Sequence, residues 1–263
     1  KVFNGGVDVV LQYAAVSSNL KDAFEKPYLH VTDNAIMNSL IFRESYETNV
    51  ENVIFPSCTV MYEDLDRPVK EDDFKGFIDE QQVYYGAGKT KVYLEDMCNF
   101  YSKLGLTKFT ALRQTNIIGK YDKTDLNKAH FFSSMIQKIN NSSDFVEVWG
   151  DGTEVRDVIH VDDMVSGFIT VAEKVDTYDI YNVCYGKGHT VMEVLNLIKE
   201  IEGNDNPIEF VNNKAPMIPT RLLSNEKLLK LGWKPKYDLR SGLEDALKWY
   251  KENKDQFDPN SKP

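Results

Sequence analysis

The sequence contains little cysteine, no excess of positive charge and no long apolar run, and each shortage excludes a class of protein. Its three cysteines, Cys58, Cys98 and Cys184, show no CxxC spacing, so neither a disulfide framework nor a metal site is indicated. The formal net charge of −10 argues against nucleic acid as a partner, because phosphate backbones are bound by clustered basic residues. No apolar run approaches the ~20 residues of a membrane span, and no signal peptide is recognised. These features predict a cytoplasmic protein that binds neither membranes nor nucleic acid.

A glycine-rich phosphate-binding turn is also missing. Doubly wound nucleotide-binding sheets open with a strand, a glycine-rich turn and a helix, but no GxGxxG or GxxGxxG occurs in this sequence. The stretch "KVFNGG" leads directly into a strand instead. If the fold is of this kind, its first two or so βα units are absent, roughly 50–60 residues at ~30 residues per unit. A complete, smaller α/β domain is the competing interpretation.

What the sequence does contain is an alternation of apolar strands and helices. Strands apolar along their whole length, separated by helices, predict a parallel sheet with helices on both faces. The expected fold is therefore α/β, with a partial doubly wound, Rossmann-like domain over 1–119 (with parts of 150–190) and a smaller C-terminal α/β substrate lobe over 120–263. The predicted elements are strands at 7–15, 50–58 and 108–119, and helices at 34–49, from Tyr85 onward, and near 128–140, 191–202 and 241–253.

A tyrosine and a lysine stand four residues apart where the second helix is predicted to begin. Tyr85 and Lys89 share a helix face, and an ammonium beside a phenol lowers the phenol pKa from about 10. Such a tyrosine can exchange a proton with a carbinol or carbonyl oxygen. The residues between them, 86–88, are all small and would let another backbone or a flat cofactor approach. An exposed pair of side chains one helical turn apart is the ordinary alternative.

The stretch "FPSCTV" ends the preceding strand with two hydroxyl residues. Ser57 and Thr59 alternate along the chain and so lie on one face, at the sheet edge where parallel strands meet ligands. The combination of strand-end hydroxyls with Tyr-x-x-x-Lys resembles the extended short-chain dehydrogenase/reductase family of nucleotide-sugar epimerases, dehydratases and reductases. Four more stretches match the family, so that the resemblance covers about 7–257: "VDVVLQYAAV", "LRQTNIIGKYD", "VWGDGTEVRDVIHVDDMV" and "NEKLLKLGWKPKYDLRSGLEDALKWYKEN".

The resemblance implies a nicotinamide cofactor (NADP or NAD), a nucleotide-diphosphate sugar as substrate, and a role for each matching residue. The alternatives are a partner for Asp157 or Asp162 in the case of Arg156, a surface ion pair in the case of Arg221, and an ordinary half-buried histidine in the case of His130. The "HVDDM" segment is expected to start a helix beside a buried histidine rather than to bind metal. The implied catalytic residues are Ser57, Thr59, Tyr85, Lys89 and His130; Ala14, Ala15, Tyr85 and Lys89 would contact the cofactor; Asn116, Arg156 and Arg221 would contact the substrate.

Within the family, the segment "GKYDKTDLNKAHFFSSMIQKI" is similar to GDP-L-fucose synthases, which epimerise and then reduce a 4-keto-6-deoxy sugar. They carry Ser-Ser-Cys at the strand end; one register sets Ser57 on their serine and Thr59 on their cysteine, and another sets Cys58 on the serine. We prefer the first. Because a threonine hydroxyl does not ionise near neutral pH, reduction of a 4-keto sugar with little C3 or C5 inversion is predicted.

Three alternatives stay open at this point. A 4-epimerase or a bifunctional epimerase-reductase would use the same fold, whereas the Thr-Asp-Glu triplet of the dehydratases is missing. A catalytically silent sugar-nucleotide-binding fragment is the alternative from another class, given the missing fingerprint. The resemblance also implies a homodimer that pairs the helices at 34–49 and 86–104, with Ile36, Leu40, Val92 and Met97 as possible contacts or, equally, as residues that face the sheet.

Overall fold

The computed structural model describes residues 6–17, 25–80, 83–122, 129–142, 144–211 and 218–253. Within these residues, no helix is long and apolar enough to cross a membrane. The elements in chain order are β1 (Val9–Leu11), α1 (Thr32–Glu47), β2 (Asn52–Ser57), α2 (Tyr85–Lys103), β3 (Lys108–Gln114), β4 (Asn116–Ile118), α3 (Phe131–Asn141), β5 (Val146–Trp149), β6 (Val155–His160), α4 (Val161–Lys174), β7 (Asp179–Val183), β8 (Gly188–Thr190), α5 (Val191–Glu202), β9 (Ile208–Val211), β10 (Thr220–Arg221), α6 (Glu226–Lys230) and α7 (Leu239–Asn253).

The first sheet is parallel throughout and has the order β1-β2-β3-β7. All six residues of β2 are buried, because successive side chains point to opposite faces and both faces are covered. Phe55 packs edge-on against Phe42 of α1, while its neighbour Ile54 joins the cluster around Phe168 of α4 on the other face. The predicted parallel α/β fold with helices on both faces is confirmed.

A second group of strands builds the C-terminal lobe. In it β6 lies between β10 and β4 and also pairs with β8 in antiparallel fashion, while β5 and β9 form a separate parallel pair. Helices α3, α5 and α7 enclose the apolar core of this lobe, which includes Ile139, Val148, Leu195 and Leu243, all fully buried.

The prediction of one continuous strand over 108–119 is wrong. The chain leaves the first sheet at Thr115, so that β3 pairs with β7 and β4 pairs with β6 of the other sheet. At this crossing the Thr115 amide donates to Val183 O (3.2 Å), and the Thr115 hydroxyl donates to Asp157 O (2.9 Å). One residue therefore bonds to both sheets, and the uniform apolar pattern concealed the change of partner.

The predicted strand at 7–15 is also shorter in the structure. The Gln12 amide still donates to Ile54 O of β2 (3.0 Å), but beyond it the backbone bonds to side-chain amides rather than to another strand. The Val16 amide and carbonyl both pair with the Asn34 side chain (2.9 Å each), and Gln12 Nε2 donates to Ala14 O and Asn38 Oδ1 (3.1 Å each). These bonds satisfy the segment locally and end the ladder.

An ion pair lies buried between α2 and β3. Arg113 and Glu95 side chains are 2% and 4% exposed, with Arg113 Nη2 2.7 Å from Glu95 Oε2 and Arg113 Nε 3.1 Å from Oε1. Arg113 Nη1 donates further to the Tyr62 hydroxyl (2.8 Å) and to Glu71 O (3.1 Å). Burial lowers the pKa of Arg113, but the bonds to Glu95 and the charges around it outweigh this and hold the pKa above its usual value.

We expect Arg113→Met to lower the free energy of unfolding by about 3–5 kcal/mol, because it leaves the Glu95 carboxylate buried without its partner. Urea unfolding followed by circular dichroism measures the change. Arg67→Met is the matched control, since Arg67 forms a similar fork with Asp73 (2.7 and 2.8 Å) at the surface and should leave the urea midpoint almost unchanged. Equal effects of the two substitutions would contradict a role for the buried pair.

Candidate active site

A cavity of about 1310 Å³ opens at the carboxyl edge of the first sheet and is walled on its far side by the C-terminal lobe. The residues that end β2 and β3, Ser57 and Gln114, line it together with side chains from β6, β10 and the start of α3. Parallel sheets present ligand sites at this edge, and the volume suffices for a nucleotide carrying a sugar. Six of the residues predicted from the sequence line the cavity: Ser57, Thr59, Asn116, His130, Arg156 and Arg221.

Two arginines occupy neighbouring positions in the wall of the cavity. Arg156 of β6 and Arg221 of β10 are direct partners in the parallel ladder. Neither forms an ion pair with any residue that the structure describes; Arg221 donates to Tyr62 O (2.8 Å) and Arg156 to Val155 O (2.8 Å). Burial lowers the pKa of Arg221 to about 10, and the Arg156 charge acts in the same direction. The charge of Asp64 acts on both arginines and that of Glu154 acts on Arg156, so the two positive charges are offset in part. Because neither arginine has a direct ion-pair partner among the described residues, the pair remains an arrangement suited to a dianion.

The surface ion pairs considered for these arginines are not present among the described residues. Asp157, the neighbour of Arg156, instead accepts the backbone N–H groups of Tyr185 (2.9 Å) and Gly186 (2.8 Å). Burial raises the pKa of this carboxyl group to about 7, and the backbone hydrogen bonds oppose the rise. Asp157 thus binds backbone on the far side of β6 and forms no ion pair with Arg156, whose charge is offset in part by Glu154 and Asp64.

The two strand-end hydroxyls have different surroundings. The Ser57 hydroxyl donates to Glu95 Oε1, with 2.5 Å between the oxygens, and is buried. The Thr59 hydroxyl has no hydrogen-bond partner within the described part of the chain, and Thr59 is 8% exposed at the cavity wall. Glu95 was not foreseen from the sequence, because nothing in the motif indicates that a residue in the middle of the helix reaches back to the strand end.

Tyr85 and Lys89 lie at the start of α2, directly after residues 83–84 of the cavity wall, but they do not themselves line the cavity. The Lys89 ammonium is 5.7 Å from the centre of the Tyr85 ring, and both residues are half-buried. Gly86 and Gly88, which lie between them, are packed against side chains of this protein. A Cβ at Gly86 would lie 2.9 Å from the Val31 side chain, and one at Gly88 would lie 3.0 Å from Ile78. Neighbouring side chains of this protein therefore already require small residues at both positions.

The model of the NAD dependent epimerase/dehydratase family matches residues 1–184, about 70% of the chain. The chain belongs to this family. It is therefore an enzyme of an NAD-dependent family, as the Tyr-x-x-x-Lys motif and the parallel sheet indicated.

The curated proteins that resemble this chain have two different activities. A GDP-L-fucose synthase of Sinorhizobium fredii is 24% identical over 229 residues, which is 85% of this chain and 72% of that protein. A UDP-glucose 4-epimerase of Corynebacterium glutamicum is 28% identical over 256 residues, 92% of this chain and 76% of that protein. The crystal structure of the UDP-glucose 4-epimerase of Thermotoga maritima shares the fold, with a TM-score of 0.83, 24% identity and coverage of 94% of this chain and 78% of that one.

The residues beside the cavity fit the nicotinamide dinucleotide that the family uses. Lys89 has no carboxylate partner among the described residues, so its three N–H donors and the Tyr85 phenol are available for ribose hydroxyls. Ala14 and Ala15 lie exposed on the segment that Asn34 and Asn38 hold against α1. Such small side chains on a fixed backbone leave room for a flat ring system.

The two other predicted residues stand on the lobe side of the cavity. Asn116 donates from Nδ2 to Asp157 O (3.0 Å), which fixes the orientation of its amide. His130 is the exposed residue directly before α3, and its side chain makes no capping bond to that helix.

The "HVDDM" segment starts α4, as expected. His160 is buried and accepts a hydrogen bond from the Asp162 backbone N–H (3.2 Å) at the start of the helix. Within the described ranges, no group of three or more His, Cys, Asp and Glu residues could hold a metal ion.

Proposed function

We propose that the protein is an NAD(P)-dependent reductase of a 4-keto nucleotide-diphosphate sugar, similar in reaction to GDP-L-fucose synthases. One observation carries the proposal: Arg156 and Arg221 line the same cavity as the strand-end hydroxyls, and Tyr85 and Lys89 stand in the helix that begins directly after the lining residues 83–84. The cationic pair suits a diphosphate, and the tyrosine suits an oxygen that becomes protonated. The names of the relatives, GDP-L-fucose synthase and UDP-glucose 4-epimerase, support a nucleotide-sugar substrate.

In this proposal the two lobes bind different ligands. Residues 1–119, with parts of 150–190, form the cofactor side, and residues 120–263 mainly form the substrate side. The guanidinium groups of Arg156 and Arg221 bind the diphosphate oxygens through paired N–H donors. Asn116 and His130 then lie on the lobe side of the same cavity, within the region that the sugar nucleotide would occupy.

Reduction of the ketone needs one proton besides the hydride that the reduced nicotinamide supplies. Tyr85 gives its phenolic proton to the C4 oxygen, so that the carbonyl becomes a hydroxyl and the tyrosine becomes a phenolate. The Lys89 ammonium stabilises that phenolate. Thr59 donates a hydrogen bond to the same oxygen, since its hydroxyl has no partner among the residues that the structure describes, whereas the Ser57 hydroxyl already bonds to Glu95. Ser57 therefore acts indirectly, because its hydrogen bond to Glu95 holds the end of β2 in place.

A specific observation also favours the bifunctional alternative. Cys58 lines the cavity between the two hydroxyl residues. Burial raises the pKa of its thiol above the usual value, and the charge of Lys91 and the Val60 backbone N–H offset this rise only in part. A thiol nevertheless ionises more readily than a threonine hydroxyl, so Cys58 could serve as an acid or base where Thr59 could not.

We expect hydride transfer to C4 with little or no exchange at C3 or C5. The full chain would be incubated with reduced nicotinamide cofactor and a 4-keto-6-deoxy sugar nucleotide in deuterated water, and the product analysed by NMR and mass spectrometry. Efficient incorporation of deuterium at C3 or C5 before reduction would instead establish an epimerase-reductase, with loss of exchange in Cys58→Ser identifying the base. Tight binding of the nucleotide sugar without oxidation of the cofactor would support the catalytically silent alternative.

We expect Tyr85→Phe to lower the turnover number by roughly 10²–10⁴-fold, because the positioned proton donor is lost. Steady-state oxidation of the reduced cofactor measures it. Tyr93→Phe is the matched control, since Tyr93 lies on the same helix and is 49% exposed; it should leave turnover unchanged. Near-normal turnover of Tyr85→Phe would reject the assigned role.

The same assay separates the two hydroxyls. Thr59→Val should lower turnover without loss of stability, whereas Ser57→Ala should chiefly lower the free energy of unfolding, by about 1.5–3 kcal/mol, because a hydrogen bond to a charged group is lost. The reverse pattern would return the catalytic role to Ser57.

We also propose a homodimer formed by α1 and α2. Ile36 (56% exposed) and Leu40 (49%) do not face the sheet, and Phe100 of α2 (57%) is exposed as well, whereas Met97 accepts a bond from Ser39 Oγ (3.4 Å) between the helices. Sedimentation velocity at micromolar concentration should show a dimer, and Leu40→Glu should shift it to monomer because a charge would be buried in the interface. A wild-type protein that sediments only as monomer would reject the proposal.

A further inference from the structure

Tyr84 lies directly before the catalytic motif and lines the cavity, although no pattern in the sequence singled it out. It occupies the position that precedes the first residue of α2, and its carbonyl accepts the Gly88 backbone N–H (2.8 Å). The side chain is half-buried and shares the cavity wall with Arg156 and Arg221. Tyr84 is therefore fixed to the same rigid first turn as Tyr85, but its ring belongs to the substrate cavity.

The Tyr84 hydroxyl has no hydrogen-bond partner among the described residues. Burial raises the pKa of this phenol, and the positive charge of Arg156 partly opposes the rise. The hydroxyl consequently stays protonated at neutral pH and is available as a donor. The charge that acts on the phenol is that of Arg156, and the carboxylates of Glu154 and Asp64 act in turn on that guanidinium.

A half-buried donor that shares the cavity wall with a cation lacking a direct ion-pair partner among the described residues suits an anionic acceptor. A neutral sugar hydroxyl would satisfy the phenol but not the arginine, whereas a phosphate oxygen satisfies both. The position of Tyr84 directly before Tyr85 has a second consequence. Because Tyr84 and Tyr85 are adjacent in a helical turn, a group held by Tyr84 is held at a fixed offset from the Tyr85 phenol.

We propose that Tyr84 binds the diphosphate of the substrate together with Arg156, and that this contact sets the position of the sugar relative to Tyr85. This inference rests on the proposed function, since it assumes a nucleotide-diphosphate ligand. It adds to that function a residue that binds phosphate and belongs to the same helical turn as the proton donor.

Calorimetric titration of the chain with nucleoside diphosphates tests the inference without any cofactor or reaction. UDP, GDP, ADP, CDP and TDP would first be screened against the wild type, and the best ligand then titrated into Tyr84→Phe, which removes one oxygen atom. We expect affinity for the diphosphate to fall roughly tenfold or more, as for the loss of a hydrogen bond to a charged group. The exposed Tyr93→Phe should bind as the wild type does, and melting temperatures should show both variants folded.

A double-mutant cycle with Arg156→Met distinguishes a shared ligand group from separate ones. If Tyr84 and Arg156 bind the same phosphate, the loss in the double variant should be smaller than the product of the single losses. Equal binding by Tyr84→Phe and the wild type would overturn the inference while leaving the proposed function intact. A loss seen with the nucleotide sugar but not with the diphosphate would also overturn it, because the contact would then be to the sugar. Failure of the wild type to bind any nucleoside diphosphate would overturn the proposed function itself.

Discussion

The buried Glu95–Arg113 pair is the interaction on which the arrangement of the site depends. It joins the middle of α2 to β3, and through the Ser57 hydroxyl and the Tyr62 phenol it also reaches the end of β2 and the loop that follows. Ions so deeply buried are tolerated only when the remaining donors and acceptors are satisfied, and here the carboxylate receives three hydrogen bonds while Arg113 makes two more. Because α2 carries Tyr85 and Lys89, the pair also fixes how far their turn lies from the strand end.

Steric packing, in addition to the ion pair, fixes the position of the first turn of α2. The glycines of the first turn of α2 allow Val31 and Ile78 to press against the helix, so the turn is held from two sides. The ion pair has a chemical cost as well, since it occupies the Ser57 hydroxyl. The strand-end hydroxyl without a partner among the described residues is then that of Thr59. The packing that supports the site therefore also determines which side chain is available to a ligand.

The sequence predicted the elements whose information is local. Apolar strands, the Tyr85–Lys89 spacing and the positions of Arg156 and Arg221 all follow from short patterns, and the parallel α/β fold and the family were correct. What it did not predict depends on partners far along the chain: Ser57 bonds to a residue 38 positions away, and Arg113 bonds to one 18 positions away. The break at Thr115 was missed for the same reason, since both strands on either side are apolar and only their pairing partners differ.

The two cavity arginines also have a consequence for the kinetics of ligand capture. The chain carries a formal net charge of −10, so at long range an anionic ligand is repelled, while within the cavity it meets two guanidinium groups. Salt screens the distant repulsion over a Debye length of about 8 Å at physiological ionic strength, but screens the half-buried contact much less. Added salt should therefore accelerate encounter with an anion while shortening its residence only slightly, the opposite of the salt response of a protein whose whole surface attracts its ligand.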